Sequence, residues 1–338
     1  MTVERQPARR GRIPAVAAVL AVAGAIVLAG CSSSSSSSSA AGSSAASSSG
    51  AAASSAGTAS SPSASAIPTQ DVVSGIAEDE KLHAELPASV QSNGQLSLGT
   101  TITPGISGLP HAGQVNGQNV GLDVDLRNAV AKVLGITWNV QNGTFATIIP
   151  GVQNGRYQVG QDNFGATAAR EKIVDFATYL NDGQGFLGAS SVSATSISTI
   201  TSACGYTIGT GSGTTFQTLL TDSASKCAAA GKKPWTVQYF SDTAPIFLGL
   251  ANGKLDLYFG PTLSLKYDAT HVANTKFLSQ FSSTPVGFVT GKGSPIAPAL
   301  SAAVNKLIAS GDYAKILTKW GVTDSGIPKS AINPPSSL

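Results

Sequence analysis

Strand-like and helix-like segments alternate in two successive runs along this chain, and that alternation leaves few folds open. In the first run QLSLGTT (95–101) reads as a strand and DVDLRNAVAKVLG (123–135) as a helix, because Leu126, Ala129, Val130, Val133 and Leu134 recur at helical spacing. Asp123 and Asp125 fall in its first turn, where the helix dipole favours acids, and Gly135 suits its exit. ITWNVQN then reads as a strand, FATIIPGVQNG as a short helix and YQVGQD as a third strand. The second run repeats the order: TIGTG, the helix GTTFQTLLTDSASKCAAAG, PWTVQYF, the helix TAPIFLGLANG and LDLYFG. A tail follows, with GFVTG as a strand and amphipathic helices around APALSAAVNKLIASG and DYAKILTKWG. Such βαβαβ units close as parallel, right-handed α/β layers. The tail is too small for a core of its own and is expected to return to the first unit. The prediction is an α/β fold of two lobes joined at two crossings, with a ligand cleft at the hinge.

The first 94 residues precede these units and have a different character. Arg5, Arg9, Arg10 and Arg12 lead into an apolar run over 13–30, which reads as a targeting segment just long enough to span a bilayer. It ends Leu28-Ala29-Gly30-Cys31, which resembles the bacterial lipobox, in which cleavage leaves the cysteine as a lipidated N-terminus. That resemblance implies a lipoprotein signal peptide over 1–30, with an uncleaved anchor as the alternative. Residues 31–67 are almost wholly Ser, Ala and Gly, too poor in apolar surface to offset chain entropy, and are expected to form a disordered tether. The whole chain carries 21 basic and 18 acidic residues; without 1–30 the count is 17 of each, with no basic cluster, which argues against nucleic acid as a partner. Cys204 and Cys227 are expected to pair outside the cytoplasm, closing a loop that would stabilise by roughly 3 kcal/mol, with two free thiols as the alternative. No metal spacing and no cofactor motif is present.

Six segments, in order, resemble the extracellular solute-binding proteins of polar amino-acid ABC transporters. GLDVDLRNAVAKVLG is similar to a GFDVDL-type helix, and FATIIPGVQNGRYQVG to F-x-x-L-I-P-x-L-x-x-G-x-x-D. TAAREKIVDFATY resembles T-x-x-R-x-x-x-V-D-F-x-x-Y, the most specific of the set. GTGSGTT resembles G-x-x-x-G-T-T, LGLANGKLDLY resembles A-L-x-x-G-R-x-D-A-Y, and GDYAKILTKWG resembles the closing helix. The resemblance covers roughly 76–328 and implies a two-lobed, periplasmic-binding-protein-like fold of type II. Its segments imply lobe 1 over 95–186, lobe 2 over 187–286, a return to lobe 1 over 287–330 and a tail over 331–338. The stretch 68–94 resembles the extension helix of lipid-anchored members from Gram-positive bacteria.

The same resemblance implies a site. Arg170 falls at the arginine that holds a ligand carboxylate, and its planar fork suits that task as a lysine would not. By itself, an arginine after a small-residue turn reads equally as a solvated helix start. Thr214 and Thr215 fall at the lobe-2 helix start, where backbone N–H groups and the dipole favour an anion; an ordinary N-cap is the plainer reading. Phe145 falls where an aromatic packs on the ligand, although a core phenylalanine would sit there too. Asn163 and Gly165 occupy positions that accept from the ligand ammonium, with Phe164 between them pointing into the core. One departure stands out: the acid that pairs this ammonium is replaced by Pro261. An unpaired buried ammonium is costly, so either another group substitutes, with Asp162 and Asn163 the nearest candidates, or the ligand differs; Asp162 reads equally as a cap of the following turn.

The implied function is that of a lipid-anchored, monomeric receptor at the extracellular face of the cytoplasmic membrane. It would capture a small amino acid or similar carboxylate and deliver it to an ABC permease. A sensory lipoprotein feeding no transporter is one alternative, and a dehydratase-like enzyme on the same fold another. His83, His111 and His271 are scattered, read as surface residues, and lend the enzyme no support.

Overall fold

The computed structural model describes residues 67–335 and 338. The signal segment, Cys31 and all of the tether but Ile67 lie outside the described residues. Ten strands are present among them: β1 (Gln95–Thr100), β2 (Gly113–Val115), β3 (Gln118–Val120), β4 (Thr137–Asn142), β5 (Val159–Gly165), β6 (Val174–Ala189), β7 (Thr207–Gly211), β8 (Thr236–Phe240), β9 (Leu257–Pro261) and β10 (Thr275–Gly291). Strands β2 and β3 form a small hairpin, and the other eight form one sheet in the order β4-β1-β5-β10-β6-β9-β7-β8.

Strands β4, β1 and β5 run parallel at one end of the sheet, and β8, β7 and β9 at the other. Between them β6 and β10 pair antiparallel along almost their full length, from Val174↔Gly291 to Ala189↔Thr275. At about 3.3 Å per residue each spans about 50 Å, enough to run through both lobes. Near one end β10 pairs with β5, and at the other β6 pairs with β9, so these two strands are the crossings. Three register shifts along the pair bend it.

Each lobe has its own core. Lobe 1 buries Leu96 and Leu98 of β1 against Leu126 and Val130 of the helix Leu122–Leu134. The closing helices Ile296–Ser310 and Asp312–Lys319 add Leu300, Val304, Leu307 and Ile316 to that core. Asp125 ties them down, accepting from Trp320 Nε1 at 2.7 Å and pairing with Lys319 Nζ at 2.8 Å. Lobe 2 is built on Phe186, Phe259, Ile208 and Leu220, with Phe186 and Phe259 stacked at 4.4 Å. A third cluster, Ile148, Tyr157, Phe164, Phe176 and Val289, lies under Phe145. On the outer side of lobe 2 Cys204 and Cys227 are joined in a disulfide.

Several elements differ from the sequence reading. GFVTG is only the end of the 17-residue β10, and β6 has no counterpart in that reading. Nearly every residue of β6 is buried, so no alternation marks it. The helix expected over 213–231 divides into Thr215–Asp222 and Lys226–Ala229. A further helix, Thr262–His271, follows β9 directly. Residues 68–94 form two short helices, Glu80–Ala84 and Ala88–Asn93, rather than one, because Pro87 precedes the second and offers no N–H to continue the first.

Candidate functional site

A cavity of about 160 Å³ lies between the lobes, beside the β6–β10 crossing. Its lobe-1 wall starts from Arg170. The short helix Ala168–Glu171 is capped by Thr167, whose Oγ1 accepts from Arg170 N at 3.3 Å. That cap turns the guanidinium inward, where Nη1 donates to Gly165 O at 3.0 Å and Nη2 to Gly213 O at 3.1 Å. The rings of Phe145 and Phe164 lie 5.6 and 5.7 Å from Cζ. Burial lowers the guanidinium to about 10, still charged at neutral pH. Among the described residues no side-chain carboxylate lies within 4.0 Å of it.

The opposite wall is the start of the lobe-2 helix. Thr214 is its N-cap, accepting from Gln217 N at 3.2 Å and donating to Gly211 O at 2.7 Å. The capping role and the cavity wall therefore coincide, because Thr214, Thr215 and Phe216 all line the cavity. Gly213 has φ +73°, and a Cβ there would lie 3.0 Å from Ala146 Cβ of lobe 1. Glycine is what allows the lobes to approach at this point. Phe145 is half-buried, packs tilted against Phe164 with ring centroids 4.6 Å apart and also lines the cavity, so it is at once core and wall.

Strand β5 forms the floor. Phe164 is fully buried in the third core cluster. Asn163 carries φ 52°, a left-handed value that breaks the strand's alternation. Asn163 and Asp162 both line the cavity, and Gly165 lends its carbonyl to Arg170. Asp162 accepts from Thr101 Oγ1 at 2.5 Å, and burial raises its carboxyl to about 7 against that hydrogen bond. The structure thus brings Arg170, Thr214, Thr215, Phe145, Asn163, Gly165 and Asp162 to one cavity. Pro261 lies in the same wall, ending β9 opposite Gln184.

Three residues that the sequence reading did not assign to the site sit with them. His111 is not a surface residue: it is 6% exposed, lines the cavity and faces Asp182 Oδ2 at 2.9 Å and Asp123 Oδ2 at 3.7 Å. Backbone pairing puts it there, because Asp123 N donates to His111 O at 2.9 Å and Leu122 N to Pro110 O at 2.7 Å. Asp182 comes from the middle of β6. The three lie far apart in sequence, and no spacing motif links them. The cavity mouth closes where Ser107 Oγ and Thr243 Oγ1 meet across it at 3.4 Å.

Comparison with known proteins fits this geometry. Residues 109–323 match the family model of the bacterial extracellular solute-binding proteins, family 3. The arginine-binding protein ArgT of Corynebacterium glutamicum is 28% identical over 224 residues, covering 64% of this chain and 72% of that protein. An ancestral arginine-binding protein solved with arginine superimposes with a TM-score of 0.60 at 27% identity, over 67% of this chain and 98% of that one. An ancestral arginine-binding protein solved with glutamine gives 0.59 at 28%, over 68% and 98%. Among the described residues no helix is long and apolar enough to cross a membrane.

Proposed function

The chain belongs to the bacterial extracellular solute-binding proteins, family 3, and on that premise we propose that it captures a cationic amino acid between its lobes, with arginine as the first ligand to test. One observation carries the reading: the half-buried guanidinium of Arg170 donates to two backbone carbonyls, among the described residues meets no side-chain carboxylate within 4.0 Å, and faces the start of the helix Thr215–Asp222. A ligand carboxylate entering there is gripped from lobe 1 by a charged fork and from lobe 2 by a helix N-terminus. Binding both at once favours the closed form.

The cation follows from Asp162. Thr101 is its hydrogen-bond partner, among the described residues no cationic side chain lies within 4.0 Å of it, and burial works against its charge. A guanidinium or ammonium on the ligand would supply that missing charge. The arginine named for the relatives above supports the same choice. Further parts of the proposal are that Cys31 carries a lipid, that 31–67 is a spacer and that the loaded receptor docks on a membrane permease. In this reading the protein binds its ligand without converting it.

Calorimetry with L-arginine, L-lysine and L-glutamine tests the reading. Arginine or lysine is expected to bind, and Arg170→Ala to weaken binding by about 2–4 kcal/mol while the protein still melts cooperatively. Binding of glutamine alone would overturn the cationic ligand, and unchanged affinity in Arg170→Ala would overturn the clamp.

A further inference from the structure

Asp182 lies midway along β6, where the lobes meet, and its carboxylate is approached from four sides. Oδ1 accepts from Gly183 N at 2.6 Å and from Leu263 N at 3.2 Å. Oδ2 accepts from Asn163 Nδ2 at 2.9 Å and faces His111 Nε2 at 2.9 Å. A carboxylate has about four lone-pair directions, so this one has none left for a ligand. Its role is therefore indirect.

His111 completes the cluster. Its Nδ1 is 3.7 Å from Asp123 Oδ2, too long for a hydrogen bond and close enough for charge attraction. Burial opposes a charge on the ring; Asp123 and Asp182 outweigh it and raise the imidazole to about 10. The ring is an imidazolium at neutral pH and donates through Nε2, so Asp182 acts only as an acceptor.

That fixes the orientation of a neighbour. Facing a pure acceptor, Asn163 can present only its amide nitrogen. Its Oδ1 is thereby turned away from Asp182; that atom is buried and has no protein partner, and the residue lines the cavity. The left-handed backbone at φ 52° holds the side chain in this place, a conformation asparagine tolerates better than most residues.

We propose that Asp182, held by His111, is a positioning residue that aims the Asn163 Oδ1 acceptor at the α-ammonium of the ligand. The inference rests on the reading of the ligand as an amino acid. It accounts for a cavity that receives an ammonium with Pro261 where an acid would be expected. Contact is made by a neutral amide oxygen, and behind it the Asp182 carboxylate holds the amide nitrogen in place.

The test compares two probes, L-arginine and 5-guanidinopentanoate, the same molecule without the α-ammonium. Asp182→Asn makes the neighbour a donor as well as an acceptor and frees the Asn163 amide to turn over. The expected result is about a tenfold loss of L-arginine affinity with 5-guanidinopentanoate within about twofold of wild type. In an Asn163→Ala background, Asp182→Asn should change the ratio of the two affinities no further. An equal loss for both probes would reduce Asp182 to a structural tie, and no loss for either would overturn the proposal. Should Asp182→Asn fail to fold, Asn163→Ala alone decides, because an unchanged ratio removes the acceptor. Wild-type protein that binds neither probe overturns the reading of the ligand itself; binding both equally overturns only the ammonium acceptor.

Discussion

Asp162 is the residue whose charge state should report binding most directly. Burial raises its carboxyl from 3.8 to about 7, opposed by the hydrogen bond from Thr101. Between these values the unfolded chain has released the proton and the folded protein still holds it. The folded state binds more protons in that window, so this group's contribution makes stability fall as pH rises from about 4 to about 7. Asp162→Asn should remove that slope: its melting point relative to wild type is expected to climb across the window, and a constant difference would contradict the assignment. Asp268, raised to about 8 by burial, contributes its own slope to both proteins and cancels in the comparison. A cationic ligand would hold Asp162 ionised, so binding at pH 6 should release a proton. Calorimetry in two buffers of different ionisation enthalpy measures it. Legibility at this scale is uneven. Arg170 could be singled out because T-x-x-R-x-x-x-V-D-F is a local pattern. His111 and Asp182 could not, because they lie 71 positions apart in the chain and only the packed sheet brings them together.

Elements with a clear period were legible, and those without one were not. The helix Leu122–Leu134 leaves only Asn128 and Lys132 exposed, yet its apolar residues recur at helical spacing and made it readable. Strands β6 and β10 are the frame of the molecule, yet β6 is buried along both faces and interrupted by Asn181-Asp182-Gly183-Gln184, which reads as a turn. Those polar residues are tolerated in mid-strand because other segments satisfy them: Gln184 donates to Thr284 Oγ1 at 3.1 Å and accepts from Ser282 Oγ at 2.6 Å. The turn before the lobe-2 helix makes a different demand. Gly213 has φ +73° and faces Ala146 across the cleft. Gly213→Ala should cost about 1–2 kcal/mol for the left-handed backbone. It should also weaken ligand binding further, because the added methyl meets Ala146 only when the lobes are together. Equal affinity in the variant, measured by calorimetry, would show that this approach does not matter for binding.

At the scale of the whole molecule the two-lobed α/β fold was readable from the order of segments, while the single continuous sheet was not. Parallel strands announce themselves through intervening helices, but the antiparallel centre is made by strands 86 or more residues apart in chain order, as in Ala189↔Thr275. The proposed lipid anchor belongs to this scale. Cys31→Ser is expected to move the protein from the membrane fraction to the medium with ligand affinity unchanged. Retention in the membrane would point to an uncleaved N-terminal segment instead. The segment over 68–94 is held firmly to one lobe. Val72, Leu86 and Val90 enter the lobe-1 core, Asp79 N donates to Val133 O at 2.8 Å, and Lys306 Nζ pairs with Asp79 at 2.9 Å. The far end of the chain docks there too, where Ala331 N donates to Thr178 Oγ1 at 2.9 Å and Asn333 Nδ2 to Asp175 at 2.7 Å. Both ends of the described chain are therefore fastened to lobe 1, and lobe 2 carries neither. In the proposed closure on a ligand, lobe 1 would be the stator and lobe 2 the moving jaw, with the paired strands between them acting as a leaf spring.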